Sequence, residues 1–73
     1  MTAQRLSQWI ALRCRDPHFW RFLKVEGEQQ AAEAVRARCN VKSRREFDTD
    51  PEAAQRLHET IRKPYITYIE SHP

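Results

Sequence analysis

Glycine, cysteine and long apolar runs are scarce in this sequence of 73 residues. Its only glycine, Gly27, argues against a turn-rich β fold and excludes a glycine-rich phosphate-binding loop. The longest uncharged stretch is far too short to span a bilayer. The polar start, Met1 to Gln8, lacks the apolar segment of a signal peptide. We therefore expect a cytoplasmic protein with no membrane partner.

Motifs for metal binding and catalysis are also missing. The sequence has no Cys-x-x-Cys and no His-Glu-x-x-His pattern. Cys14 and Cys39 each fall on an apolar helix face, where thiols are inert, and a disulfide between them is disfavoured in a reducing cell. We expect no metal, no cofactor and no enzymatic activity. A zinc- or cysteine-dependent enzyme is the third interpretation, with candidate ligands Cys14, His18, Cys39, His58 and His72.

Two Asp-Pro steps are the most informative features that are present. Asp16-Pro17 and Asp50-Pro51 each predict a helix start, with aspartate as the N-cap and proline at the first helical position. Apolar spacing between these marks predicts an all-α fold, a compact single domain 1–73 of four to five short helices. The predicted helices cover about 3–14, 17–25, 28–39, 44–48 and 51–62, with a further short helix at 64–70.

Helix ends and inner faces follow from the same reasoning. We expect Gly27 to close the second helix or the loop after it, and Asn40 to close the third in the left-handed conformation. Ser43 and Glu46 form a capping box for the fourth helix. Lys63-Pro64 should end the fifth, and the tail after it also allows an extended edge segment. The predicted inner stripe of the fifth helix is Ala54, Leu57, His58 and Ile61.

Charge is unevenly distributed along the chain. Five basic residues without an acid are followed by four acids without a base: Arg36, Arg38, Lys42, Arg44 and Arg45, then Glu46, Asp48, Asp50 and Glu52. The basic run is either helix-end electrostatics or a binding patch for nucleic acid or another anionic partner. The third helix, the turn after it and the helix from Ser43 also outline a helix-turn-helix, with Arg44 and Arg45 at its second helix.

Aromatic residues suggest a second kind of contact. Trp9, Tyr65 and Tyr68 are residue types that dominate protein interfaces, and they are the candidates for a protein-partner surface. They could equally belong to the core, where we place Phe19, Trp20 and Phe22. Because a core this small is marginal, we also expect that the chain can form a homo-oligomer.

Several segments together resemble a small domain found in bacteriophage and prophage proteins. They are Cys14-Arg-Asp-Pro-His-Phe-Trp-Arg-Phe-Leu23, Cys39-Asn-Val-Lys-Ser-Arg-Arg-Glu-Phe-Asp48, Asp50-Pro-Glu-Ala-Ala and Ile61-Arg-Lys-Pro-Tyr65. The resemblance implies a setting, the cytoplasm of a bacterial host cell, rather than a reaction. Taken with the lack of catalytic motifs, it leads us to interpret the chain as a non-enzymatic phage or prophage accessory binding module that acts on a host or phage protein or nucleoprotein complex. The alternative is a small DNA-binding protein that uses the corner at Arg44 and Arg45.

Overall fold

A computed structural model describes residues 5–71 and shows an all-α protein, which confirms the predicted fold class. The α-helical segments are α1 Leu6–Cys14, α2 Pro17–Leu23, α3 Glu28–Cys39, α4 Glu46–Thr49, α5 Pro51–Leu57 and α6 Lys63–Ser71. A π-helical segment, His58–Arg62, joins α5 to α6 without a break. The described part of the chain therefore forms five helices, of which the last runs continuously from Pro51 to Ser71.

Both aspartate caps form as predicted. The Asp16 carboxylate accepts a hydrogen bond from the His18 N–H at 2.9 Å, and Pro17 begins α2. The Asp50 carboxylate accepts one from the Glu52 N–H at 3.0 Å at the start of α5. Each carboxylate satisfies an N–H group that has no partner inside its helix.

The helix ends confirm one expectation and correct another. Asn40 closes α3 in the left-handed conformation with φ 55°, as predicted. The second helix is shorter than expected, because Lys24 adopts φ 62° directly after Leu23. The Val25 N–H then donates to the Trp20 carbonyl at 2.9 Å, which completes a left-handed helix end without glycine. Gly27 ends the loop and immediately precedes α3 in an extended conformation, which is the second of the two positions predicted for it.

The prediction that Lys63-Pro64 ends the fifth helix was wrong. Proline inside a helix removes one hydrogen bond and its ring clashes with the carbonyl four residues earlier, here that of Thr60. The π segment before it widens the helical turn, and the Lys63 N–H donates to the His58 carbonyl five residues back. The chain therefore passes through Pro64 as a helix, and the tail forms α6 rather than an extended edge.

The π segment also explains which residues of the long helix face the core. The buried side chains are Ala53, Leu57, Ile61 and Tyr65, each four residues after the last. In a regular α-helix this spacing drifts around the axis by about 40° per step. The extra residue in the π turn reverses that drift, so one face stays inward. The predicted stripe was therefore partly wrong, since Ala54 and His58 are only half-buried.

The core of the described residues draws on every helix. It consists of Ile10, Cys14, Phe19, Leu23, Ala31, Val35, Cys39, Val41, Phe47, Ala53, Leu57, Ile61 and Tyr65. Two polar contacts fix the corners around it. The Trp20 indole N–H donates to the Cys14 carbonyl at 2.6 Å, where α1 meets α2. The Arg56 Nε–H donates to the Cys39 carbonyl at 2.7 Å and holds the end of α3 against α5.

The core assignment predicts unequal effects of two leucine truncations. Leu57 is fully buried, whereas 47% of Leu12 is exposed. We expect Leu57→Ala to lower the free energy of unfolding by about 2–5 kcal/mol, because it leaves a cavity. The control Leu12→Ala should change it by about 0.5 kcal/mol or less. Urea unfolding followed by tryptophan fluorescence measures both, and similar losses for the two variants would contradict the described packing.

A basic groove as the candidate functional site

Four of the five predicted basic residues surround one groove with a volume of about 410 Å³. Its lining consists of Ser7, Gln8, Ala11, Arg36, Lys42, Ser43, Arg44 and Arg45. One wall is α1, a second is the last part of α3, and the turn 42–45 closes the end. Arg38 is exposed on α3 and does not line this groove, although it was predicted with the others.

The wall that α1 provides was not predicted from the sequence. Ser7 and Ala11 lie one helical turn apart, so they present one face of α1 to the groove. They are more than twenty residues from the basic run, and no local pattern connects the two segments. Only the packing of α1 against α3 and α4 brings them together.

The turn 42–45 is shaped by the Glu46 carboxylate. Its Oε2 atom accepts hydrogen bonds from the backbone N–H groups of Lys42 at 2.6 Å and Ser43 at 2.9 Å. The bond to Ser43 confirms half of the predicted capping box. The Ser43 hydroxyl accepts from the Arg45 N–H at 3.3 Å rather than from that of Glu46. Since α4 begins only at Glu46, Arg44 and Arg45 lie in the turn and not in the helix.

The next acid, Asp48, is bonded across the fold to the start of α1. Its Oδ1 accepts from the Ser7 N–H at 3.1 Å and its Oδ2 from the Ser7 hydroxyl at 2.5 Å. The N-terminal residue that flanks α1, Arg5, makes no side-chain cap, so Asp48 supplies one from 41 residues away. These two hydrogen bonds, from the hydroxyl first and then the backbone, lower the pKa of the Asp48 carboxyl.

The cations of the groove have no carboxylate in direct contact among the described residues. None of Arg36, Lys42, Arg44 and Arg45 forms a salt bridge with a carboxylate among residues 5–71. The nearby acids Glu46 and Asp48 are hydrogen-bonded to backbone and hydroxyl groups instead. A concave surface with several unpaired cations attracts anions from solution, because the low-dielectric walls focus the field.

The two thiols lie in the core. Cys14 and Cys39 are free and fully buried, and burial is the main cause that raises the pKa of each. The Arg44 guanidinium opposes this for Cys14, with a smaller effect. Within the described residues, no three His, Cys, Asp or Glu side chains gather to hold a metal ion. The candidate ligand His72 lies outside that part of the chain.

The aromatic candidates do not form an exposed patch. Tyr65 is only 3% exposed and packs edge-to-face on Phe19 at 5.0 Å between ring centroids, so its assignment to a partner surface was wrong. Trp9 is half-buried, with the guanidinium groups of Arg13 and Arg62 within 5.5 and 5.7 Å of its ring centroid. Tyr68 is half-buried as well. Among the described residues, the exposed large apolar side chains are instead Leu12, Ile66 and Ile69.

Comparison with models of protein families, with curated proteins and with solved structures gave no match. Within residues 5–71, no helix combines the length and the apolar character that crossing a membrane requires.

The two hydrogen bonds that Asp48 accepts from Ser7, which we call the Asp48 clamp, predict a pH-dependent contribution to stability. The pKa of Asp48 is lowered in the folded state, so its contribution is complete above the ordinary aspartate value of about 4 and is lost as pH falls through the folded pKa. Asp48→Asn should therefore lower Tm at neutral pH, with a difference from wild type that shrinks below about pH 4. Thermal melts followed by circular dichroism measure this. A Tm difference that stays constant down to pH 2 would argue against the clamp.

Buried thiols with raised pKa predict slow modification. In the native protein at pH 8, we expect both cysteines to react with a disulfide reagent at least about 100-fold more slowly than in the urea-unfolded chain, because reaction requires local opening. The release of the coloured thiol product measures both rates. Fast reaction of one native cysteine would revive the interpretation of a cysteine-dependent enzyme.

Proposed function

We propose that this protein is a non-enzymatic binding module that holds nucleic acid, free or within a nucleoprotein complex, by its phosphate backbone. The observation that carries the proposal is the groove at the turn 42–45, where Arg36, Lys42, Arg44 and Arg45 converge without carboxylate partners. Arginine side chains can bind phosphate oxygens through two parallel hydrogen bonds, and lysine adds a point charge. The resemblance to phage and prophage domains supports a setting in which such complexes are common targets.

Contact with phosphates fits this groove better than reading of base sequence. A helix-turn-helix protein places a recognition helix of several turns in the major groove. The helix after the turn here, α4, has only four residues, and it begins beyond Arg44 and Arg45. Side chains in a turn can reach a phosphate backbone, whereas four helical residues span about 6 Å and cannot follow the groove of a duplex. We therefore propose that binding depends only weakly on the base sequence of the nucleic acid.

The proposal predicts binding that depends on salt and on the groove. Fluorescence anisotropy of labelled duplex and single-stranded DNA, titrated with the protein between about 50 and 200 mM salt, should show affinity that falls steeply as salt rises. Lys42→Ala with Arg45→Ala should weaken binding and reduce the slope of log K against log salt by about two. Both side chains are exposed, and the hydrogen bonds of this turn use their backbone N–H groups, so the fold should persist.

A matched control separates the groove from total charge. Arg21→Ala with Arg38→Ala removes the same two charges from exposed positions outside the groove. This variant should keep at least about half of the wild-type affinity at moderate salt, because the loss of distant charges is screened. Equal weakening by the two double variants would mean that net charge, not the groove, determines binding. An absence of binding at low salt would reject the proposal.

A further inference from the structure

The outer face of the last helix, from Arg62 at the end of the π segment to Glu70 in α6, carries an apolar centre between opposite charges. Ile66 and Ile69 are 41% and 40% exposed, on a helix that reaches the core through Tyr65. Arg62 and Glu70 lie four residues before and four residues after Ile66, so the three share one stripe of the helix. Glu70 is exposed and has no salt-bridge partner among the described residues.

We propose that this face binds a second copy of the chain, with the two α6 helices packed antiparallel about a two-fold axis near Ile66. In that arrangement Ile66 meets Ile66 of the partner subunit, and Arg62 lies beside Glu70 of the partner subunit. The two-fold axis repeats the charge pair on the other side, so each copy contributes one arginine and one glutamate. The interface is self-complementary, as a symmetric dimer requires.

Charge order along the stripe is what selects a second copy as the occupant. Along one helix the order is Arg62, Ile66, Glu70, which is positive, apolar, negative. An antiparallel second copy presents this order in reverse, so opposite charges face each other at both ends. Arg62 is also held in position, because its guanidinium group lies 5.7 Å from the Trp9 ring centroid. Less side-chain freedom is then lost when the ion pair forms.

The size of this face predicts a weak dimer. A helix of nine residues is about 14 Å long, so a pair of such helices buries less than the roughly 1,200 Å² of a stable interface. We expect a dissociation constant on the order of 100 µM. No residue of α6 lines the basic groove, so dimerisation leaves both grooves open. If the proposed function holds, the dimer would bind nucleic acid through two sites at once, with higher avidity.

Sedimentation equilibrium at low salt, without nucleic acid, tests the dimer directly. We expect wild type to show a reversible monomer–dimer equilibrium up to about 0.5 mM. Glu70→Lys and Arg62→Glu should each raise the dissociation constant about tenfold, because each variant opposes like charges at two places. An equimolar mixture of the two variants should recover the wild-type constant, since their heterodimer pairs opposite charges at both places.

Two further variants keep the test decisive if Arg62→Glu disturbs the contact with Trp9. Ile66→Glu alters an exposed side chain and should abolish the dimer, with unchanged circular dichroism. The control Glu33→Lys makes the same charge change as Glu70→Lys at an exposed site on α3 and should leave the dimer intact. A wild-type monomer at every concentration would overturn the proposal, and so would equal effects of Glu70→Lys and Glu33→Lys.

The outcome is separable from that of the proposed function. Lys42→Ala with Arg45→Ala should retain the wild-type dimer, because neither residue lies on α6. Ile66→Glu should retain binding to a DNA fragment short enough to occupy one groove. Loss of dimerisation in the groove variant would contradict the α6 interface.

Discussion

Hydrogen bonds from backbone N–H groups to two carboxylates determine how this protein displays its positive charge. Glu46 binds the amides of Lys42 and Ser43, and Asp48 binds the amide and the hydroxyl of Ser7. The first set shapes the turn that carries Arg44 and Arg45, and the second attaches this region to α1. Among the described residues, neither acid forms a salt bridge with the arginines beside it. A basic run that is followed directly in the sequence by an acidic run thus forms, in the folded chain, one side of a groove whose cations have no salt-bridge partner.

The secondary structure could be predicted wherever the cause was local. Asp16 and Asp50 cap helices because an aspartate before proline favours that role in almost any surroundings. Asn40 closes α3 for a similarly local reason. The predicted helix end at Lys63-Pro64 was wrong, because the effect of a proline depends on whether the preceding helical turn can widen. The π turn that accommodates it is stabilised by packing of Ile61 and Tyr65 into the core, and no local rule reports that packing.

The candidate site was predictable in part for the same reason. The basic run contains no acid, so four of its members could be expected to share a surface once α3 and the following turn were placed. Arg38 does not line the groove, because residues two positions apart on a helix, such as Arg36 and Arg38, point to different faces. The α1 wall and the Asp48 clamp depend on contacts between segments that are far apart in the sequence. The burial of Tyr65 likewise depends on Phe19, which lies in another helix.

Hydrogen bonds and core packing hold the backbone around the groove in place. The carboxylate of Glu46 fixes the backbone of the turn, Arg56 holds the end of α3, and the core positions α1. An anion that enters therefore has to order only the ends of arginine and lysine side chains, not a loop, and less binding energy is lost to ordering. Binding is also linked to stability, because a ligand that binds only the folded chain stabilises it by RT ln(1 + [L]/Kd). A domain with so small a core gains from that linkage, and the proposed self-association through α6 would stabilise the folded chain in the same way.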